Sequence, residues 1–306
     1  MNRPEDLHSP LRRAGEDRVD PELLVSRFRD QSARVVVMDR STAHRLESAA
    51  GKYDPARHIY LGHSGAADAL AGDPGPHEWF AVRDTVVGPG LRETPVATEP
   101  LLRDLLTTTA AILAWHDTTP HCEACLGASQ PARGGFIRVC LDCGAWLFPR
   151  HDPAIIIAIL DPQDRLLLAH QASWAPNRVS IIAGFVEAGE SLEQAAGREV
   201  GEEVGLHLGS AHYVTSQAWP FPRSLMLGMV GTAAGEPVPD GVEIQWARWF
   251  SREEFTAAVD SGEVIAPSGR SVASRLIKAW LDGTLPRHAD LEPPSAEPSS
   301  EEPSSD

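Results

Sequence analysis

Three glutamates, Glu199, Glu202 and Glu203, are of a type and spacing that suit metal chemistry. On a helix they stand at i, i+3 and i+4, so all three carboxylates share one face. Like charges at that spacing repel, and each pair costs an isolated helix a few tenths of a kcal/mol. Something has to compensate them. A helical wheel puts this stripe beside the apolar stripe of Ala196, Val200 and Val204, not opposite it, which aims the carboxylates along the protein wall toward a cleft. That favours a divalent cation over bulk solvent, and a dication held there would invert the field where an anionic substrate sits. On residue types alone, a solvated acidic face is the alternative.

The helix carrying these residues has readable ends. Ser191-x-x-Gln194 has the form of a capping box, so the helix starts there, and Gly205 sits where a C-cap needs a left-handed residue. Gly184 and Gly189 suit a loop that changes direction sharply before the helix, and Arg198 is placed to anchor that loop through Glu190. Gly201 inside the helix costs about 1 kcal/mol relative to alanine, and nothing in the sequence explains it.

A second constellation uses every cysteine of the chain. Cys122-x-x-Cys125 and Cys140-x-x-Cys143 are separated by fourteen residues, and each pair can present two thiolates from a tight turn to a tetrahedral Zn2+. A closed four-cysteine site has no open position for water or substrate, so this zinc is structural. His121 reads as a solvated loop residue. Arg133 and Arg138 are the only cations between the pairs, a thin footprint for nucleic acid.

The elements that must position these groups fall into two sets. Apolar runs at Ala33–Met38, Ile59–Leu61 and Trp79–Val82 precede a helical stretch from Pro100 to Trp115, an α+β N-terminal domain. After the cysteines come Ala154–Leu160 and Arg165–Ala169, joined by the turn Asp161-Pro-Gln-Asp164 as a hairpin. Ile181–Val186, the carboxylate helix, strands near Tyr213–Thr215, Leu225–Val230 and Trp246–Phe250, and a helix Val272–Leu281 follow. Trp246, Trp249 and Phe250 read as core and sheet packing. The predicted organisation is a disordered N-terminus (1–20), the N-terminal domain (21–118), a zinc ribbon (119–148), a C-terminal domain (149–283) and a disordered Pro/Ser/Glu-rich tail (284–306).

Composition bounds the function. With 306 residues, 42% hydrophobic and 23% charged, the chain is ordinary globular protein of about two domains. A formal charge of -16 argues against broad electrostatic binding of nucleic acid, which depends on Lys and Arg neutralising phosphates. No run approaches the ~20 apolar residues that span a bilayer, and the N-terminus lacks the apolar core of a signal peptide, so no membrane association and a cytoplasmic location are expected.

Gly184 to Leu206 reads Gly, five residues, Glu, seven residues, Arg-Glu-apolar-x-Glu-Glu-x-Gly-apolar, and so resembles the Nudix box with every fixed position present. Downstream, Ser216-Gln-Ala-Trp-Pro-Phe-Pro-Arg-Ser224 resembles the Ser-Gln-Pro-Trp-Pro-Phe-Pro-x-Ser array of the NADH pyrophosphatase (NudC-type) branch, with Ala218 in place of proline. That branch also carries a four-cysteine ribbon and a segment like Phe148-Pro149-Arg150, so the resemblance runs from about residue 100 to 283. It implies a fold of class α+β / α/β: a Nudix α/β/α sandwich with a mixed sheet, preceded by the zinc ribbon and the N-terminal α+β domain. It implies that Glu199, Glu202, Glu203 and Glu243 are catalytic and bind Mg2+ or Mn2+, with a backbone carbonyl from Ala183. Phe148 and Phe185 would stack on the substrate's ring, one ring coming from the second subunit of a homodimer. Gln217, Ala218, Trp219, Pro220, Phe221, Pro222, Arg223 and Ser224 would line the dinucleotide pocket, and Ala273 would touch it by backbone.

The reaction so implied is hydrolysis of the pyrophosphate of NADH or NAD+ to nicotinamide mononucleotide and AMP. Removal of a 5′-NAD cap from RNA (deNADding) uses the same chemistry on a longer substrate. ADP-ribose as substrate is disfavoured by the Trp-Pro-Phe-Pro array. A Nudix-fold nucleotide sensor without activity would have lost box carboxylates, and none is lost.

Overall fold

The computed structural model describes residues 8–91, 99–267, 269 and 271–291. Two compact units divide it: Pro153–Gln217 with the chain from Met226 onward, and Asn2–Asp152 with Ala218–Leu225. Among the described residues no helix is long and apolar enough to cross a membrane.

In the first unit the unbroken apolar run of strand β8 (Asp152–Leu160) is a central strand covered on both faces. Ile155, Ile157 and Ile159 point into one core with Ala195, Ala196, Val200 and Val204 of α3 (Leu192–Val204). Ile156, Ala158 and Leu160 point into another with Phe255 and Ala258 of α4 (Arg252–Ser261) and Leu276, Ile277 and Trp280 of α5 (Val272–Leu281). Strict period-two alternation thus makes three layers, α/β/α. The sheet runs β11-β12-β8-β9-β13, with β10 pairing β8. Here β9 is Leu166–Gln171, β10 Ile182–Phe185, β11 Leu208–Trp219, β12 Ser224–Ala233 and β13 Ile244–Phe250. The β8–β9 turn is built by Asp161, whose carboxylate accepts from Gln163 N (3.0 Å), Arg165 N (2.7 Å) and Arg165 Nε (2.6 Å). Trp249 and Phe250 are core residues, and Trp246 stacks on the His170 ring (5.9 Å).

The second unit holds a mixed four-stranded sheet, β2-β1-β4-β3, in which β1 (Ala33–Met38) and β4 (His77–Arg83) run parallel. Alternation again feeds two faces. Val36 and Met38 of β1 meet Leu101, Leu105 and Ile112 of α2 (Pro100–Thr118), while Val35 and Val37 meet Leu24 and Phe28 of α1 (Pro21–Arg29). The remaining strands are β2 (His44–Ser48) and β3 (Ile59–Ser64), and the cysteine segment forms a small antiparallel sheet, β5 (Ser129–Ala132), β6 (Ile137–Cys140) and β7 (Trp146–Leu147). Residues 92–98, expected within the N-terminal domain, lie outside the described residues.

Both predicted disordered ends need correction over part of their length. Leu11 is 1% exposed in the core, Arg12 exchanges backbone hydrogen bonds with His63 (2.9 Å each way), and Arg18 donates to Leu61 O (3.1 Å) while lying over the Phe136 ring. At the other end Leu285 and Leu291 are buried in the C-terminal core. The reason is the same at each end: one or two apolar anchors in a polar stretch fasten it, and average composition does not register them. Residues 1–7 and 292–306, also expected to be disordered, lie outside the described residues. Two helices went unread although their signals were present: Asp20 caps α1 ahead of Pro21, and a Ser251/Glu254 capping box starts α4. The strand expected near Tyr213–Thr215 runs longer, from Leu208 to Trp219.

Candidate active site

The carboxylate helix α3 starts at Ser191, whose side chain accepts from Gln194 N while Gln194 Oε1 accepts from Ser191 N, and ends on Gly205 at φ 65°. The three glutamates are buried to different degrees. Glu203 is 6% exposed, the Glu199 side chain 14%, and the Glu202 side chain 65%. Burial, and then the charges of Glu243, Glu199, Asp240 and Glu202, push the Glu203 carboxyl up to about 8. Four acidic groups therefore act on one buried carboxyl, and among the described residues neither Glu203 nor Glu243 forms an ion pair.

Arg198 does more than anchor the preceding loop. It grips Glu190 with two nitrogens (2.7 and 3.0 Å), donates to Phe185 O (2.8 Å), and reaches Glu199 (2.8 Å) and Glu202 (3.1 Å). Glu190, then Glu199, raise its pKa further above the ordinary guanidinium value. The helix therefore offsets two of the three clustered carboxylates, Glu199 and Glu202, with its own arginine and leaves Glu203 uncompensated. A hard dication suits that remainder, since it needs oxygen donors of net negative charge. The glutamate oxygens do not converge as tightly as the thiols do. The four cysteines are the group of His, Cys, Asp or Glu ligands, among the described residues, whose donor atoms all lie within 4.8 Å.

Gly184 on β10 faces this helix, and any Cβ there would fall 1.9 Å from the Glu199 carboxyl carbon. The strand and the helix therefore approach closely only because residue 184 has no side chain. Ala183 is beside it, paired with Ile156 of β8.

A family model for the NUDIX domain matches residues 149–267. Residues 149–267 are a Nudix domain. Its box is the strand-loop-helix just described, from Gly184 through Arg198 to Leu206. The chain is 41% identical over 189 residues to the "NAD-capped RNA hydrolase NudC" of Mycobacterium tuberculosis (strain ATCC 25618 / H37Rv), covering 58% of this chain and 59% of that protein. The "NAD-capped RNA hydrolase NUDT12" of Homo sapiens is 37% identical over 184 residues, 56% of this chain and 40% of that protein. The chain thus spans 59% of the length of the first relative and 40% of the second. A crystal structure of a NUDIX hydrolase from Nitrosomonas europaea is 22% identical, with a TM-score of 0.38, covering 44% of this chain and 80% of that one.

The other predicted site residues are divided between the units. In the unit that carries the box, Phe185 presents an exposed ring (57%), Gln217 Oε1 accepts from Val272 N at the start of α5 (2.9 Å), and Ala273 is buried on the same helix. The other unit holds Phe148, with 63% of its surface exposed, and the hairpin tip Ala218–Leu225. There Trp219 and Phe221 meet edge-on (5.3 Å), and Arg223 Nε bonds Asp152 (2.7 Å). Ser224 is buried where β12 begins.

The four cysteines sit on two knuckles, closed by Leu126 N to Cys122 O (2.9 Å) and Gly144 N to Cys140 O (3.1 Å). Sulfur separations of 3.8 Å (Cys122–Cys143) and 3.4 Å (Cys125–Cys140) are close to the about 3.8 Å edge of a tetrahedron with 2.3 Å metal–sulfur bonds. The Cys143 amide pulls the Cys140 thiol down to about 7, whereas Cys125, against the pull of its hydrogen bond with the Gly127 backbone, is pushed up by the Cys140 and Cys143 thiols. The donor set fits zinc.

Proposed function

We propose that this chain hydrolyses the pyrophosphate bond of NADH or NAD+, releasing nicotinamide mononucleotide and AMP. The observation that carries the reaction class is the buried Glu203 carboxyl crowded by Glu199, Glu202, Glu243 and Asp240 at the box. The substrate reading rests on the array Ser216–Ser224 and on relatives named for hydrolysis of NAD-capped RNA. In this reading Glu199, Glu202, Glu203 and Glu243, with the Ala183 carbonyl, hold Mg2+ or Mn2+. A dication held by these residues would supply the positive charge that lowers the repulsion between the pyrophosphate and an attacking water and stabilises the leaving phosphate. A box carboxylate or Glu243 takes the proton of that water. Within the unit that carries the box, exposed Phe185 stacks on a ring of the substrate, and Gln217 and Ala273 contact the dinucleotide; the roles of Phe148, of residues 218–224 and of a homodimer rest on the family resemblance alone.

Incubating the protein with NADH and Mn2+ or Mg2+, and following AMP and reduced nicotinamide mononucleotide by chromatography, tests this directly. Metal-dependent cleavage that a Glu202→Gln/Glu203→Gln double variant loses is the expected result. A folded, zinc-loaded protein that leaves NADH intact sinks the assignment.

The names of the relatives favour a second reading with the same chemistry, removal of the 5′-NAD cap from RNA. The charge of -16 argues that any such RNA is held chiefly at its cap.

Zinc at Cys122, Cys125, Cys140 and Cys143 is structural in this scheme, and reduced cysteines held by a metal suit a cytoplasmic compartment. A Cys125→Ser variant is expected to lose bound zinc, measured by elemental analysis, and to melt at a lower temperature, because metal binding free energy is folding free energy for such a ribbon. Unchanged zinc content would remove the four-cysteine assignment.

A further inference from the structure

The loop between β12 and β13 is fastened to the box helix at one end and to Glu243 at the other. Val238 N donates to Val204 O (2.8 Å) and Asp240 N to Glu203 O (3.1 Å), so the loop satisfies carbonyls that the end of α3 would otherwise leave without partners. The Asp240 carboxylate then turns onto the following amides. Its Oδ1 accepts from Val242 (3.2 Å), Glu243 (3.2 Å) and Ile244 (2.8 Å), and its Oδ2 from Glu243 (3.1 Å). Gly241, at φ 72°, lets the chain double back so that its amide reaches Ile244 O (3.1 Å). A carboxylate folded over its own downstream amides is a rigid local device, stiffer than an unsupported loop.

The far end is fixed from β9. Ile244 of β13 pairs with Gln171, Ala172 N donates to Glu243 O (3.0 Å), and Gln171 Nε2 donates to the Glu243 carboxylate. Glu243 is therefore held twice, through its backbone by Asp240 and through its side chain by Gln171. Nothing about either residue in the sequence separates it from the many other Asp and Gln residues.

We propose that Asp240 and Gln171 are positioning residues that hold the Glu243 carboxylate against Glu203 and so set the affinity of the site for its divalent cation. This rests on the reading that Glu199, Glu202, Glu203 and Glu243 bind that cation. The two residues act through Glu243, as outer-shell partners tune ligands elsewhere, where their loss costs about 10–100-fold in metal affinity.

The test is Mn2+ binding to the zinc-loaded chain dialysed free of Mg2+ and Mn2+, followed by the electron paramagnetic resonance of free Mn2+, with folding checked by circular dichroism and zinc content by elemental analysis. Asp240→Ala and Gln171→Leu are each expected to weaken Mn2+ binding about tenfold or more, whereas Asp240→Asn, which keeps an oxygen acceptor, stays within about threefold. Combined with Glu243→Gln, Asp240→Ala adds nothing to the loss from Glu243→Gln alone, because the two act at one ligand. If Glu243→Gln weakens Mn2+ binding but Asp240→Ala and Gln171→Leu do not, or if their losses add fully to it, positioning is overturned and the metal reading stands. If Glu243→Gln leaves Mn2+ affinity unchanged, both are overturned. Should Asp240→Ala misfold, Gln171→Leu and Asp240→Asn decide the matter.

Discussion

Glu203→Gln is expected to make the zinc-loaded protein more stable when Mg2+ and Mn2+ are absent and, if the proposed function holds, to lower the rate of NADH cleavage by more than about a hundredfold, the loss anticipated for a ligand rather than its outer-shell support. The stability gain follows from the carboxyl's position. An unfolded chain releases the Glu203 proton near the ordinary value of about 4.3, whereas burial and the neighbouring acids hold it to about 8 in the folded protein. Between those values the native state binds more protons than the unfolded one, so its stability falls as pH rises through the window. Above pH 8 the full cost is present, and below about pH 4 it vanishes. Its size is at most on the order of 5 kcal/mol, from the difference of about 3.7 pH units between the two values at about 1.36 kcal/mol each. Thermal melts of wild type and variant, zinc retained and Mg2+ and Mn2+ absent, should diverge across this window, with the variant higher at pH 8 and the two equal near pH 4. If Glu203 holds the cation as proposed, added Mn2+ should stabilise wild type more at pH 8 than at pH 5, because cation and proton would then compete for one site. Parallel melts at every pH would mean that Glu203 is solvated and relaxed, and the frustration argued for the box would be gone.

Gly184→Ala is the second large expected effect, and its signature is a split between activity and stability. The added methyl would meet the carboxylate of Glu199 at 1.9 to 2.4 Å, the far end of a flexible side chain and not backbone. Glu199 can swing away at a cost within about 1 kcal/mol, so the melting temperature should move little. In swinging away it leaves its place beside Glu203. A displacement of about 1 Å at a reacting centre costs on the order of a hundredfold, so NADH cleavage should fall by that amount and Mn2+ binding should weaken with it. An active, normally melting Gly184→Ala protein would show that Glu199 does not act from this position. A large drop in melting temperature would show that the contact of β10 with α3, not the carboxylate, is what the glycine protects.

Much of the box was legible because its determinants are local. Capping by Ser191 and Gln194, the left-handed stop at Gly205, the shared face of Glu199, Glu202 and Glu203, and the Arg198–Glu190 link all lie within one turn or one loop of each other. Helical periodicity and turn chemistry act over that range, so spacing alone encodes them. The paired cysteines are legible for the same reason, since each knuckle is a few residues long.

Features that depend on distant segments were decided only by the tertiary structure. The difference between buried Glu203 and exposed Glu202 arises because α3 lies on a sheet whose strands come from both sides of it in sequence, and adjacent identical residues cannot announce which will be covered. Gly184 reads as a loop glycine, yet its need is steric and set by a side chain fifteen residues away across the strand–helix contact. Asp240 and Gln171 meet at Glu243 because β9 and β13 pair, and a pairing register is a property of the folded sheet rather than of either strand. The same holds for Leu11, Leu285 and Leu291: single apolar residues in polar stretches carry no periodicity, and only the cores they enter explain their burial.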